Sequence, residues 1–443
     1  MSDAGAPLTA IRGALLTFAG DPLRVGDEAA CRYESDAIVA MADGVIVDCG
    51  PAADVLSRLP PAIPVTHYAG SLISAGFIDA HVHYPQLPLI GAGGRPLLDW
   101  LEQSTFPLEA RFADAGYARS VAVRYLDENR RNGITTAAVF GTVHPHSADV
   151  LFDEASRRGL RLIAGKVLMD RNAPAPLLDT AIRGYDESKA LIARWHGRGR
   201  LAYAITPRFA ATSTPAQLEA ASALWHESPG TYLHSHIAEN RAEAAWIASL
   251  YPGERSYLDV YDRFGLLGRR ALYAHGIHLD DDDFARLHAT CTAIAHCPTS
   301  NSFLGSGLFR LRDAHAAARP VGVALGTDLG AGTTFSMLRT MQAASDVAQL
   351  VGAPLSPTSA WWLATRGSAE ALDIGDRVGT VAAGFEADLV VVDLRSTPLI
   401  EFRMQGVDGI DEALGVLLAL GDDRAIRATY VAGALAWDRD AAR

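Results

Sequence analysis

Eight short apolar runs recur along the middle of the chain, and each ends in polar or ionisable residues. The runs are nearly continuous in Val, Ile, Leu and Ala, which is typical of parallel strands buried on both faces. Most gaps between the runs are long enough to hold a crossover helix. Eight such units predict an α/β protein built as a (β/α)8 TIM-like barrel. The predicted strands are Gly76–His83, Ile134–Phe140, Leu160–Asp170, Leu201–Phe209, Tyr232–Glu239, Ala271–Leu279, Thr292–Asn301 and Val321–Asp328.

One crossover carries a readable helix start. Thr214 is an N-cap residue, Pro215 occupies the first helical position and Gln217 completes a capping-box pattern. Apolar residues then follow at helical spacing: Leu218, Ala221 and Trp225. The pattern predicts a helix over Pro215–Glu227.

Both ends of the chain show shorter alternating segments with Gly and Asp at the turns, which indicates strands. The segments are Leu15–Ala19, Ala37–Met41 and Val45–Asp48 on one side, and Ala387–Val392, Ala428–Val431 and Leu435–Trp437 on the other. Because they flank the barrel, we expect one small β-sandwich-like domain made from residues 1–70 plus 380–443, beside a barrel domain of residues 71–379.

Composition narrows the function classes. Hydrophobic residues make up 49% of the 443 residues and charged residues 20%, so the chain can bury a large core and is expected to be compact and soluble. The net charge of −12 argues against a general electrostatic surface for nucleic acid or for an anionic membrane. The longest apolar stretch, Ala413–Leu420, is too short to span a bilayer. We expect a small-molecule partner.

Cysteine usage indicates the compartment. The four cysteines are Cys31, Cys49, Cys291 and Cys297, and none forms a C-x-x-C pair. No secretory apolar segment opens the sequence. Reduced thiols in a cytoplasmic protein are the expectation.

The strongest chemical signal lies where the predicted strands end. His81 and His83 are two residues apart at the end of the first strand, so their side chains face the same way. All carboxyl-terminal strand ends of such a barrel open onto one face, where active sites lie. Four histidines and two carboxylates are therefore expected to converge. The others are His236 and Glu239 after the fifth strand, His275 after the sixth and Asp328 after the eighth.

Imidazole and carboxylate donors together favour Zn²⁺ or Fe²⁺ over Ca²⁺ or Mg²⁺, which prefer all-oxygen shells. Such an ion lowers the pKa of a bound water from 15.7 to about 7, which is hydrolytic chemistry. A second H-x-H, His144-Pro145-His146, has a proline that breaks a strand ladder, so we expect a loop there without a metal role. The remaining candidates, His226, His278 and His296, are predicted to be structural or solvent-facing.

Longer motifs resemble the amidohydrolase superfamily, in its mononuclear deaminase branch. The first strand, with Gly76-Phe77-Ile78-Asp79-x-His81-x-His83, meets the family pattern closely. The stretches 364–372 and 378–393 also resemble this superfamily, so the likeness covers nearly the whole chain. One departure is Ala75, where a proline commonly stands. It is expected to alter the approach to the strand and not the metal site.

The resemblance implies a role for each residue of the predicted site. The metal ligands would be His81, His83, His236 and Asp328, and His275 would hold the activated water. Binuclear members use a carboxylated lysine at the end of the fourth strand, but here that strand ends Thr206-Pro207-Arg208-Phe209, and Lys166 belongs to the third. One Zn²⁺ per subunit is therefore expected, with Fe²⁺ as the alternative. Family resemblance also suggests a homodimer.

Finer motifs resemble the guanine deaminases of that superfamily. They are Tyr84–Gln86, Pro96–Leu101, Thr105–Pro107, Thr206–Phe209, His234–Asn240 and Ala295–Asn301. The resemblance implies guanine as substrate, with xanthine and ammonia as products. The implied substrate contacts are Gln86, Leu98, Trp100, Arg208, Phe209, His236 and Glu239.

The side chains themselves agree with a purine. Phe209 and Trp100 can wall a flat slot, and the Arg208 guanidinium can donate to O6 of guanine while the Gln86 amide donates and accepts at another edge. Adenine carries donors at that position and would leave Arg208 unpaired. We expect metal-activated water to attack C2 of guanine. Glu239 would pass protons to the ring nitrogen and to the leaving amine, and Asp328 would take the water proton.

Other functions stay open at this point. Deaminases or chlorohydrolases of cytosine, triazines, pterins or adenosine derivatives would share the ligands and differ at Gln86, Trp100, Arg208 and Phe209. A ring-opening cyclic amidohydrolase is disfavoured by the missing fourth-strand lysine. A non-catalytic barrel scaffold has no need of the complete ligand set. No G-x-S-x-G, Walker A or G-x-G-x-x-G motif is present, and Gly91–Gly94 is interpreted as a mobile loop near the site.

Overall fold

The computed structural model describes residues 8–441, which form a barrel of parallel strands and a separate mixed sheet. The strands are β1 (Thr9–Phe18), β2 (Cys31–Ala42), β3 (Val45–Pro51), β4 (Val65–Ala75), β5 (Phe77–His83), β6 (Ile134–Phe140), β7 (Arg161–Gly165), β8 (Val167–Leu168), β9 (Leu201–Pro207), β10 (Tyr232–Ile237), β11 (Ala271–His275), β12 (Ala293–His296), β13 (Val323–Leu325), β14 (Leu389–Asp393), β15 (Ile426–Val431) and β16 (Ala434–Asp438).

The barrel confirms the predicted fold class and all eight strand positions. Its strands follow the order β5, β6, β7, β9, β10, β11, β12, β13, each parallel to the next, and β8 extends the third position by pairing with β9. Most of the strands end several residues earlier than predicted. Their polar ends leave the ladder and form the loops of the active face.

The first and last strands meet through a short set of polar contacts. The Asp328 backbone N–H donates to the His81 carbonyl at 2.8 Å. The Asp79 carboxylate accepts from Thr327 twice, from the backbone N–H at 2.8 Å and from Oγ1 at 2.5 Å. Gly326 allows this approach, because a Cβ there would lie 2.8 Å from the His81 Cβ. The barrel therefore closes where the predicted metal ligands lie.

Helices occupy the connections. The predicted helix is present with the predicted bounds, and its N-cap Thr214 Oγ1 accepts from the Gln217 backbone N–H at 3.3 Å. The reciprocal half of the capping box is absent within residues 8–441, since the Gln217 side-chain amide is buried without a hydrogen-bond partner.

The α-helices are Pro22–Val25, Asp27–Ala30, Ala52–Arg58, Leu97–Trp100, Phe106–Ala110, Ala115–Arg131, Pro145–Arg157, Ala181–Trp195, Pro215–Glu227, Arg241–Leu250, Tyr257–Arg263, Asp281–Thr290, Pro298–Phe303, Leu311–Ala314, Met337–Leu350, Pro357–Trp362, Ser368–Ala371, Pro398–Met404 and Ile410–Leu420. Two π-helical turns, Leu101–Thr105 and Leu363–Gly367, interrupt longer helices. The 3₁₀ turns are Tyr84–Leu89, Arg111–Ala113, Ala175–Leu177, Ala210–Thr212 and Asp423–Ala425. Within the described residues, no helix has the length and apolar character that crossing a membrane requires.

Segments from both termini share the second sheet, as predicted. Its seven strands follow the order β16, β15, β14, β4, β1, β2, β3, and the two ends of the chain join where β14 pairs with β4. The strands form one mixed sheet, and the helix Ala52–Arg58 packs against β2 and β3 on one face. Because β4 runs on almost directly into β5, this sheet positions the first barrel strand. The domain limits at residues 70 and 380 remain a prediction.

Candidate metal centre and active site

The strand ends place six side chains together, and we refer to them as the strand-end cluster. They are His81, His83, His236, Glu239, His275 and Asp328. A register shift between Asp79 and Val82 marks a bulge in β5 against β6. The His81 and His83 rings nevertheless lie 5.1 Å apart, centroid to centroid. The two rings that the spacing predicts to face the same way therefore lie side by side.

Four donors converge at one point. His83 Nε2 lies 3.0 Å from His236 Nε2, and Asp328 Oδ1 lies 3.4 Å from His81 Nε2 and 3.7 Å from His83 Nε2. His81, His83 and His236 each place a ring nitrogen within 4.8 Å of the others, and His81, His275 and Asp328 form a second such group. These are the residues that the sequence pattern selects.

Three histidine rings of the strand-end cluster are uncharged, so they can donate a lone pair to a metal ion. Burial lowers the pKa of His81, His83 and His236 well below the ordinary value, so each ring keeps a lone pair at neutral pH. His236 Nδ1–H donates to the Arg208 carbonyl at 2.7 Å, which leaves Nε2 free to bind an ion. His81 Nδ1 lies 2.9 Å from His234 Nε2, so His234 orients His81 from behind.

The donor set fits a transition-metal ion. His81 Nε2, the ring nitrogen that faces Asp328, is buried and has no hydrogen-bond partner within residues 8–441. Leaving such atoms unpaired is costly unless another group satisfies them. Three imidazoles and a carboxylate match the ligands that Zn²⁺ and Fe²⁺ accept.

An acid and base pair stands beside these donors. Glu239 Oε2 lies 3.3 Å from His275 Nε2, and Ser306 Oγ donates to Glu239 Oε1 at 3.3 Å. Burial, with repulsion from Asp328, raises the pKa of the Glu239 carboxyl to about 8. Glu239 therefore carries a proton at neutral pH and is able to donate it. Burial likewise raises the pKa of Asp328.

Strained backbone holds three positions of this cluster. Ala238, His275 and Asp328 adopt positive φ angles of 47°, 77° and 47°. Each such conformation costs a non-glycine residue about 1 to 3 kcal/mol, and it persists only where surrounding contacts fix it. Here the turn directs Glu239 and the two other side chains toward one cavity.

A second group of predicted residues lines the same cavity, and we refer to it as the recognition wall: Gln86, Trp100, Arg208 and Phe209. His83, His236, Glu239, His275 and Asp328 line the cavity opposite. Leu98 does not line this cavity. It lies in a neighbouring apolar groove with Phe106 and Trp246, which Phe209 separates from the cavity.

Sequence reasoning missed two buried carboxylates near the cavity. Glu109 pairs with Arg208, and no local motif marks it as functional. Glu243 lines the cavity, and its Oε2 accepts from the backbone N–H groups of Glu239 at 2.9 Å and Asn240 at 3.1 Å. An Asn followed three residues later by Glu is a capping-box signal, so the position of Glu243 was readable at a helix start.

The other histidines make local contacts. His144 is the N-cap residue of helix Pro145–Arg157, so the second H-x-H begins a helix instead of a loop, and His146 Nε2 lies 2.6 Å from the Phe112 carbonyl. His278 Nε2 lies 3.0 Å from the Ser306 carbonyl. The His296 ring stacks on Phe309 at 4.8 Å, and His226 is exposed on its helix.

Two further sequence features lie apart from the strand-end cluster. Lys166 is buried and paired with Asp179 and Glu187, with Nζ 2.7 Å from Glu187 Oε2. Gly91–Gly94 is an exposed segment, and Gly94 approaches the Phe303 carbonyl so closely that a Cβ would lie 2.5 Å from the oxygen.

A closed parallel barrel with histidines and a carboxylate at its strand ends defines a metal-dependent hydrolase. The family model described as the amidohydrolase family matches residues 72–435, and the chain belongs to this family.

Relatives narrow the comparison further. The chain is 46% identical over 98% of both sequences to a protein of Escherichia coli named guanine deaminase, and the solved E. coli structure superposes with a TM-score of 0.95 over 97% of this chain and all of that one. A C. acetobutylicum guanine deaminase, whose structure has guanine bound in the active site, is 28% identical with a TM-score of 0.87 over 97% of this chain and all of that one. A Xanthomonas campestris adenosine deaminase with bound zinc is 25% identical, with a TM-score of 0.82 over 96% of this chain and 92% of that one.

Proposed function

We propose that the protein hydrolyses guanine to xanthine and ammonia. One observation carries the proposal: the hydrolytic donors of the strand-end cluster and the purine contacts of the recognition wall line the same cavity. The near full-length similarity to a guanine deaminase supports this choice of substrate over other amino-heterocycles.

We propose Zn²⁺ as the ion, held by His81, His83, His236 and Asp328. The unpaired His81 Nε2 and the mixed nitrogen and oxygen donors support it, as does the zinc in a related deaminase structure. A bound ion of this kind lowers the pKa of a water molecule to about 7 and so supplies a nucleophile at neutral pH.

Protein groups move the protons. Asp328 accepts a proton from the attacking water, and His275 orients that water through Nε2. Glu239 donates its proton to N3 of guanine as the oxygen bonds to C2. It then receives the proton held by Asp328 and passes it to the amine as the bond between C2 and nitrogen breaks. Finally, Glu239 takes the second water proton from the C2 hydroxyl as the carbonyl of xanthine forms. One water proton thus leaves with ammonia and the other replaces the proton that Glu239 gave to the ring, so both carboxyl groups return to their starting states.

We assign the binding of guanine to the residues of the recognition wall. Arg208 would donate to O6 of guanine, and the Gln86 amide would pair with the adjoining ring edge. Trp100 is almost completely buried and presents an indole Nε1–H without a partner in the described part of the chain. With Phe209, it supplies a flat aromatic surface for the purine.

Assembly and location are further parts of the proposal. A homodimer is supported by the family resemblance, and a cytoplasmic location by four cysteines that are all free thiols. We also propose domain limits of residues 71–379 for the barrel and 1–70 plus 380–443 for the terminal domain.

The first experiment is ammonia release from guanine by the zinc-loaded protein, with metal-stripped protein and zinc-restored protein beside it. Release that disappears with the metal and returns with zinc supports the proposal. Zinc binding without ammonia from guanine would overturn the substrate. Ammonia release from cytosine, adenosine, an amino-substituted pterin or an aminotriazine would then identify the heterocycle that the protein deaminates. Protein that binds neither zinc nor a purine would favour a scaffold.

A further inference from the structure

Glu109 is a fully buried carboxylate behind the recognition wall. It belongs to the short helix Phe106–Ala110, and its exposed fraction is 0%. Arg208 Nη1 donates to both of its oxygens, to Oε1 at 3.0 Å and to Oε2 at 2.8 Å. Glu109 touches none of the strand-end cluster through a hydrogen bond, so the hydrolytic reaction as derived above gives it no task.

The same carboxylate also holds Gln86. The Gln86 side chain hydrogen-bonds Glu109, while its Oε1 is buried and has no hydrogen-bond partner among residues 8–441. Gly330 presses from the other side, because a Cβ there would lie 2.3 Å from the Gln86 Cβ and 2.7 Å from Oε1. Gln86 is thus held in place between Glu109 and Gly330, and its acceptor oxygen is left without a partner among the described residues.

Arg208 is fixed in the same way. Its guanidinium carbon lies 5.6 Å from the centre of the Phe106 ring, on the helix that carries Glu109. Within the described residues, the side-chain hydrogen bonds of Arg208 all leave from Nη1. The other N–H groups of its fork remain for a ligand in the cavity that Arg208 lines.

Charge decides what that ligand is. Without Glu109, the buried Arg208 would have only the carboxyl groups of Asp328 and Glu239, which do not hydrogen-bond it, to offset its charge, and such a cation attracts anions strongly. The adjacent Glu109 cancels the charge and leaves the directional donors in place. The paired fork therefore favours a neutral carbonyl over an anionic ring.

We propose that Glu109 is a positioning residue that sets specificity: it orients both Arg208 and Gln86 and neutralises Arg208, so that the cavity selects a neutral, carbonyl-bearing heterocycle over an anionic one. This inference rests on the proposed function. It implies that the anionic form of the product xanthine is held weakly and is released readily.

The test compares Glu109→Gln with wild type. Glutamine keeps the size and an acceptor oxygen but removes the negative charge. The readout is the inhibition constant of xanthine divided by the KM of guanine, measured above the first pKa of xanthine as read from its own ultraviolet titration. We expect this ratio to fall about tenfold in Glu109→Gln, because the variant binds the xanthine anion more tightly and neutral guanine more weakly. An unchanged ratio would overturn the inference.

Glu154→Gln is the matched control. Glu154 is also a buried carboxylate, bonded to Arg157 at 2.9 Å and Arg158 at 2.5 Å, but it lies on helix Pro145–Arg157 outside the cavity. The ratio should stay at the wild-type value in this variant. A fall equal to that of Glu109→Gln would assign the effect to general loosening and overturn the inference. A wild-type protein without guanine turnover would instead be a failure of the proposed function.

A second pair of variants guards against misfolding. Arg208→Gln leaves Glu109 buried without its cation, so its Tm should drop well below that of wild type. Adding Glu109→Gln removes the orphan charge and should recover most of the lost Tm, while guanine turnover stays low. A double variant no more stable than Arg208→Gln would show that the two residues do not act as a pair.

Discussion

The two sides of the cavity are built differently. The four histidines of the strand-end cluster lie on parallel barrel strands, whose hydrogen-bonded register fixes their positions, and its two carboxylates follow shortly after β10 and β13. The recognition wall lies on connecting segments: Gln86 is in the 3₁₀ turn Tyr84–Leu89, Trp100 ends the short helix Leu97–Trp100, and Arg208 and Phe209 follow β9. Reaction type is therefore tied to the barrel itself, whereas substrate choice is tied to segments that change without disturbing the metal donors.

The largest effect is expected at the hydrolytic side. Glu239→Gln removes the acid and base group but none of the four proposed ligands. We expect kcat for guanine to fall about 10²- to 10⁴-fold while zinc content stays at the wild-type level. Steady-state kinetics and elemental analysis measure the two quantities. Unchanged kcat would remove Glu239 from the mechanism.

The recognition side should respond in a different parameter. Arg208→Ala removes the donor fork and orphans Glu109, and truncating one partner of a buried charge pair costs about 2 to 5 kcal/mol. We expect kcat/KM for guanine to fall about 100-fold with zinc still bound. An unchanged kcat/KM for guanine would show that Arg208 does not contact the substrate. The assignment of substrate recognition to the recognition wall would then be wrong.

Glu243 lines the cavity and bonds the Glu239 backbone, and its protonation state can be read from the pH dependence of stability. Burial, with repulsion from Glu239, raises the pKa of its carboxyl from 4.5 to about 7, so the folded protein holds this proton more tightly than the unfolded chain. Its contribution to stability is complete below about pH 4.5 and is lost as pH rises through 7.

Glu243→Gln keeps an acceptor for the helix cap and removes the titration. Between those pH values, the wild type should therefore lose up to about 3 kcal/mol of unfolding free energy relative to the variant. Urea unfolding of both zinc-loaded proteins across this range tests the prediction. A stability difference that is constant with pH would contradict it.

The smallest predicted effect is the difference in kcat/KM between variants of two residues on the same helical turn, Leu97–Trp100. Leu98 lies in the outer groove and Trp100 in the cavity wall. We expect Leu98→Ala to change kcat/KM for guanine by less than about twofold, as for a substitution away from the site, and Trp100→Ala to lower it about tenfold. Equal losses in the two variants would place the edge of the recognition wall further out.

Strand-borne features were predictable because they depend on local pattern. The eight strands, the histidine pair His81 and His83, and the helix Pro215–Glu227 follow from runs of apolar residues, side-chain alternation and a helix N-cap. The fold then brings strand ends together regardless of their distance along the chain. That rule placed His236, His275 and Asp328 correctly.

Other features depend on tertiary contact and left no such pattern. Glu109 lies on a five-residue helix and acquires a role only where that helix meets Arg208, 99 residues later in the sequence. The positive φ of Ala238, His275 and Asp328 likewise left no local signal, because such a conformation in a non-glycine residue persists only where surrounding contacts fix it. The π-helical turn beside Trp100, which shifts the facing of the next residues, is set by packing as well.

The contacts between β5 and β13, which close the barrel, have a consequence for the order of events during synthesis. Thr327 meets Asp79 across 248 residues of sequence, and Asp328 is the last of the proposed ligands to be translated. A nascent chain that ends before Thr327 has the three proposed histidine ligands but lacks the Asp328 carboxylate. It also lacks the hydrogen bonds from Thr327 to Asp79 that hold β5 beside β13. Binding of an ion by all four proposed ligands would therefore be a late event, and a firmly held ion would report that the whole barrel has been made and closed.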